Sequence, residues 1–95
     1  MGKVYKGQDW RLDLTSDIDL SSVETTEIQA LKPDSTIESY NGEVIDQQNG
    51  TVRHDFTPSE LDQAGDWIFW IYAKLTNGKE YYGEPYEKHI YNRGE

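Results

Sequence analysis

Residues 65–83 read G-D-W-I-F-W-I-Y-A-K-L-T-N-G-K-E-Y-Y-G, and this stretch decides the fold class. Trp67 to Leu75 is dominated by aromatic and β-branched residues, the types that suit a pleated, half-buried surface. Asn77-Gly78 follows, and Asn-Gly between two hydrophobic runs is the strongest short-range hairpin signal. Two more such pairs stand at Asn41-Gly42 and Asn49-Gly50. A type I′ turn requires positive φ at both central residues, which Asn tolerates and Gly adopts without steric cost. Three such pairs therefore predict an antiparallel β protein.

Alternation within the stretch assigns its faces. Trp67, Phe69, Ile71, Ala73 and Leu75 share one side, wholly apolar, which is the core side. Ile68, Trp70, Tyr72 and Lys74 share the other. Either a loop or terminal segment of the same chain covers that second face, or it forms a patch that seeks a partner, since monomers rarely expose a large contiguous apolar area. Trp and Tyr are also enriched at interface hot spots.

Working outward, Val4-Tyr5 predicts a short edge strand and Trp10 to Leu14 a half-buried one, with Trp10, Leu12 and Leu14 inward. The polar segment 15–22 reads as a loop, and Thr26 to Leu31 as a strand that buries Ile28 and Ala30. Lys32-Pro33-Asp34-Ser35 ends that strand in a turn. Ile37 to Tyr40 and Glu43 to Asp46 flank Asn41-Gly42 and are expected to form a polar edge hairpin. Thr51 to Phe56 is the next strand, with Val52, His54 and Phe56 on one face. Thr57-Pro58-Ser59-Glu60-Leu61 predicts a short helical turn near residues 58–63, with Thr57 as N-cap, Pro58 in the first turn, Glu60 as reciprocal cap and Leu61 packed inward. The last segment, Glu80 to Tyr91, returns along the long strand, and Pro85 marks a bulge or a move to an exposed edge. The expected fold is all-β: an immunoglobulin-like antiparallel β-sandwich of seven to eight strands in a single domain over 1–91, with 92–95 as a loose tail. A small barrel is the alternative.

With 95 residues the chain is long enough for one core and too short for two. Its three Trp, seven Tyr and two Phe supply large buried areas per residue. The lack of Cys excludes disulfides and thiol chemistry, and suits synthesis in a reducing cytosol. Eighteen acidic against nine basic residues give a formal charge of −9, which opposes binding to nucleic acid or to anionic membranes. Neither a signal peptide nor a membrane-spanning segment is apparent.

No residue set points to catalysis, and no cofactor or metal is expected. Asp9, Asp13, Asp17 and Asp19 gather acidic oxygens, yet they lack the Gly and the distant Glu of a calcium loop and read as a solvated edge. His54 and His89 have no partner at metal-ligand spacing, and His54 reads as a packed histidine with a backbone partner. Tyr81, Tyr82, Tyr86 and Tyr91 suit cross-strand pairing in a sheet, or the stacking of sugar rings. The residues singled out for a protein interface are Ile68, Trp70, Tyr72, Tyr82 and Tyr86.

The order of signals carries a resemblance: Gly7-Gln8-Asp9 opening a strand, Leu31-Lys32-Pro33-Asp34-Ser35-Thr36, the turn Gly50, Phe56-Thr57-Pro58-Ser59-Glu60-Leu61, then Ala64-Gly65-Asp66-Trp67. Over about residues 7 to 75 the chain resembles the N-terminal immunoglobulin-like domain of phage baseplate upper proteins and related tail or head-fibre proteins. Ser35 stands where the family's K-P-D-G turn has glycine. The resemblance implies a virion structural module without an active site, made in the host cytoplasm, docking onto another particle protein or onto its own copies. With no coiled coil or receptor-binding segment after residue 95, an adaptor, completion or decoration protein is the expected type. Two alternatives belong to other classes: an acidic inhibitor that offers carboxylates to a host nucleic-acid-binding enzyme, and a small carbohydrate-binding module that uses the tyrosines.

Overall fold

The computed structural model describes residues 3–95, so residues 1 and 2 of the expected 1–91 domain lie outside the described residues. Nine strands occur in it: β1 (Val4–Tyr5), β2 (Trp10–Thr15), β3 (Val23–Leu31), β4 (Ile37–Asn41), β5 (Glu43–Asp46), β6 (Thr51–Phe56), β7 (Gly65–Leu75), β8 (Glu80–Tyr82) and β9 (Tyr86–Tyr91). They form two sheets. The larger runs in the order β1-β9-β7-β3-β4, with β8 pairing β7 beyond the end of β9, and the smaller runs β2-β6-β5.

The aromatic strand β7 is the centre of the larger sheet, pairing β3 on one side and β8 and β9 on the other. Its inward residues Trp67, Phe69, Ile71 and Ala73 are buried essentially completely. They pack with Ile28 and Ala30 of β3 against Leu12, Leu14, Val52 and Phe56 of the smaller sheet. Trp10 bridges the two layers, 5.7 Å from the Phe56 ring and 5.5 Å from Phe69. Each large apolar side chain removed from water in this way contributes about 1.5–3 kcal/mol. Two loop residues, Leu20 and Leu61, are also fully buried and fill the core between strands.

The fold corrects the sequence expectation on several points. It is all-β with two sheets, but it has nine strands, and the pairing is mixed, because β1 runs parallel to β9. The immunoglobulin-like antiparallel sandwich of seven to eight strands is therefore not what forms. No helix occurs among the described residues, so the helical turn expected near 58–63 is absent. Glu60 and Leu61 both donate to the Thr57 carbonyl, at 3.0 and 3.3 Å, and the Glu60 carboxylate accepts the Thr57 N–H at 2.9 Å. A continuing helix would bring the Gly65 N–H to the Leu61 carbonyl, but that oxygen accepts from the Gly7 N–H at 2.8 Å. Asp62 and Gln63 are drawn sideways, to Lys32 and to Asp34. A single turn is all that remains.

None of the three Asn-Gly pairs is a type I′ turn, since Ser35 is the one non-glycine with positive φ among the described residues. Asn77-Gly78 closes the β7–β8 hairpin through a three-residue loop in which Gly78 alone takes positive φ, +88°. Asn41-Gly42 is not a hairpin. It carries the chain from β4, at the edge of the larger sheet, to β5, at the edge of the smaller one. Glycine is needed there because of close approach: a Cβ on Gly42 would stand 2.6 Å from Val52 Cγ1 and 3.2 Å from the Glu27 backbone.

Candidate functional site: the outer face of the larger sheet

Register places the outward side chains of the larger sheet in transverse rows, because directly opposed residues point to the same side. One row is Ile37–Leu31–Ile68–Glu87, the next Ser39–Gln29–Trp70, and the next Asn41–Glu27–Tyr72–Tyr82. Lys74 and Glu80 lie opposite each other beyond these. The rows form a face in which six aliphatic and aromatic side chains are interspersed with Glu87, Ser39, Gln29, Asn41 and Glu27. It dips into an open groove of about 460 Å³ lined by Gln29, Ile37, Trp70, Tyr82, Gly83 and Pro85. Ile37 and Tyr82, on opposite flanks, are 62% and 63% exposed.

Hydrogen bonds hold the aromatic groups in place. Trp70 Nε1, a donor only, donates to Gln29 Oε1 at 2.9 Å, which turns the Gln29 amide nitrogen toward Glu27 Oε1 at 3.3 Å. The Tyr72 hydroxyl donates to Glu80 Oε1 at 2.5 Å, and its ring lies 5.4 Å from that of Tyr82. The bond to the Glu80 carboxylate pushes the Tyr72 hydroxyl pKa up to about 12. These bonds order Trp70 and Tyr72 within the chain itself.

Of the residues singled out in sequence, Ile68, Trp70, Tyr72 and Tyr82 share this face. Tyr86 does not. It stands opposite Phe69, on the inner side, and lines a separate cleft with Leu14 and Ile71. Tyr81 is likewise opposite Ala73. Gln29, Ile37 and Pro85 complete the groove and were missed in sequence. The first two belong to it only through the β4-β3-β7 register, whereas Pro85 carried the one available signal, a strand break beside the tyrosines.

The outer face of the smaller sheet is of another kind. Arg11 pairs with Asp55 and Arg53 with Asp13, each through two bonds, at 2.7 and 3.3 Å and at 2.8 and 3.1 Å. Thr15 and Thr51 hydroxyls meet at 2.9 Å. All three are directly opposed register pairs. The β2–β6 ladder thus satisfies its own charges, while Glu43 of β5 lies opposite the already paired Arg53.

The remaining candidates are engaged locally. Asp13 belongs to Arg53, Asp19 accepts from the Ser21 N–H, and no cluster of three or more His, Cys, Asp or Glu suited to a metal ion occurs among the described residues. His54 lies between the Asn41 carbonyl, 2.7 Å from Nδ1, and Glu60, 3.0 Å from Nε2. Burial by itself raises the Glu60 carboxyl, but the bonds from the Thr57 N–H and His54 outweigh it and hold the group below the ordinary range. His89 Nδ1 stands 2.6 Å from Asp66. No helix among the described residues is long and apolar enough to cross a membrane. No known protein family, curated protein or solved structure matches the chain.

Proposed function

We propose that this protein is a non-enzymatic interaction module, a virion structural component of adaptor, baseplate or head-decoration type, which docks onto another particle protein through the outer face of its larger sheet. The observation that carries the docking reading is the contrast between the two outer faces. The β2–β6 ladder of the smaller sheet pairs its charges with one another, whereas the larger sheet keeps Ile37, Trp70 and Tyr82 around an open groove. Large ordered aromatic groups beside a groove are what interface hot spots are made of. The particle context rests on the Gly7-Gln8-Asp9, Lys32-Pro33-Asp34 and Ala64-Gly65-Asp66-Trp67 signals. Synthesis in the host cytoplasm followed by assembly into the virion goes with it.

The test is made on particles purified from a producing host by density gradient. Wild-type protein is expected to co-purify with them, and the folded double variant Trp70→Ala/Tyr82→Ala to be lost from them. Particles devoid of the wild-type protein would refute the virion assignment. Undiminished retention of the double variant would refute this face. Size-exclusion at rising concentration separates a second copy of the chain from another particle protein as the occupant.

A further inference from the structure

Resting on that docking face, we infer that the segment it receives is cationic, with an arginine side chain of the partner lying over the Trp70, Tyr72 and Tyr82 rings beside the carboxylates of Glu27, in the Tyr72 row, and Glu80, in the row beyond it. Charge complementarity fixes the occupant. On the smaller sheet both outward carboxylates of the β2–β6 ladder, Asp13 and Asp55, have their own guanidinium. On the larger sheet Lys74, opposite Glu80 in register, turns its ammonium to Glu24 at 3.8 Å and His89 faces Asp66, while Glu27 and Glu80 receive hydrogen bonds only from neutral groups, the Gln29 amide and the Tyr72 hydroxyl. Two carboxylates without an ion pair of their own therefore stand beside the half-buried Tyr72 and the exposed Tyr82, and ring faces themselves attract cations.

The same chain shows what that combination holds when it is occupied from within. Lys32, buried despite its charge, lies 5.5 Å over the Trp67 ring with its ammonium 2.8 Å from Asp62. An aromatic face and a carboxylate together hold that cation. Arginine fits the open site better than lysine, because a planar guanidinium stacks on an indole while donating to a carboxylate in two directions. A second copy of this chain is the less favoured occupant, since two bodies of charge −9 repel.

The experiment is a titration of the isotope-labelled protein with the blocked peptide Gly-Arg-Gly-Arg-Gly-Arg, alongside Gly-Glu-Gly-Glu-Gly-Glu, followed by amide and indole chemical shifts. With the arginine peptide, shifts should concentrate at Glu27, Gln29, the Trp70 indole, Tyr72 and Tyr82, and the glutamate peptide should produce none. Glu27→Gln/Glu80→Gln should weaken binding roughly threefold to tenfold. The charge-matched Asp9→Asn/Glu43→Gln should change it by less than about twofold. Equal weakening by both doubles, or shifts spread over the whole surface, would overturn the inference by showing a diffuse field. The particle assay separates the two readings. Retention of Glu27→Gln/Glu80→Gln with loss of Trp70→Ala/Tyr82→Ala would overturn the cation while leaving the face. Retention of both doubles would remove the face itself.

Discussion

Ser35 is held at φ +73°, in the left-handed region, by the turn that joins β3 to β4. Its N–H donates to the Lys32 carbonyl at 2.9 Å, the Lys32 N–H donates to Thr36 at 2.8 Å, and the Asp34 carboxylate accepts from the Thr36 N–H at 3.0 Å. These bonds dictate the backbone, and the serine endures it. For an L residue the left-handed conformation costs roughly 1–2 kcal/mol, while glycine forfeits about 0.4–1 kcal/mol through the freedom of the unfolded chain. The side chain is exposed and no packing would be lost. Ser35→Gly is therefore expected to stabilise the protein by about 0.5–1 kcal/mol, read as a higher urea midpoint at unchanged slope. A lower midpoint would mean that the serine hydroxyl contributes more than the backbone strain removes.

Among the elements, the ladder joining β2 to β6 has a defined response to acid. The hydrogen bond from Arg53 holds the Asp13 carboxyl below its ordinary range, and that from Arg11 does the same for Asp55. A carboxylate depressed in the folded state stabilises it fully above the unfolded pKa, near 3.9, and that contribution is lost as pH falls through the depressed folded value. The melting temperature is thus expected to fall from about pH 4 downward. In Asp13→Asn/Asp55→Asn the fall should be shallower, though not flat, since Asp34 and Asp46 are depressed by their own bonds to Thr36 and Asn49. An identical slope in the double variant would show that these exposed pairs contribute nothing, as many surface ion pairs do. The same elements show what was legible in sequence. The faces of β2 and β7 were, because a single buried side imposes a period of two. Leu20 was not, since one apolar residue in a polar loop has no period. The switch of sheets at Asn41-Gly42 was hidden because its cause, contact with Val52 and Glu27, is remote in the chain. Tyr86 does not share the outer face with the other residues singled out for an interface, because Tyr82 pairs with Tyr72 and Tyr86 with Phe69, so the Gly83–Pro85 break inserts one extra residue and reverses every later side chain.

At the scale of the whole molecule, a net charge of −9 is spread over a body of 46 × 26 × 20 Å, and two classes of electrostatic interaction compete. Attractive pairs such as Arg11–Asp55, Arg53–Asp13 and Lys32–Asp62 act at 2.7 to 2.8 Å, well inside the screening length of about 8–10 Å at 0.1–0.15 M salt. Repulsion among the uncompensated carboxylates acts mostly across longer spans, where screening is strong. Added salt should therefore relieve repulsion more than it weakens attraction. The expected outcome is a melting temperature that rises by about 2–4 °C between 10 and 200 mM NaCl at pH 7, equivalent to about 0.5 kcal/mol for a domain of this size. Potassium chloride should give the same rise, because the effect belongs to ionic strength and not to a bound cation. A fall in melting temperature would show that the short pairs dominate the electrostatic balance, and the excess of carboxylates would then have to be compensated locally in the folded state.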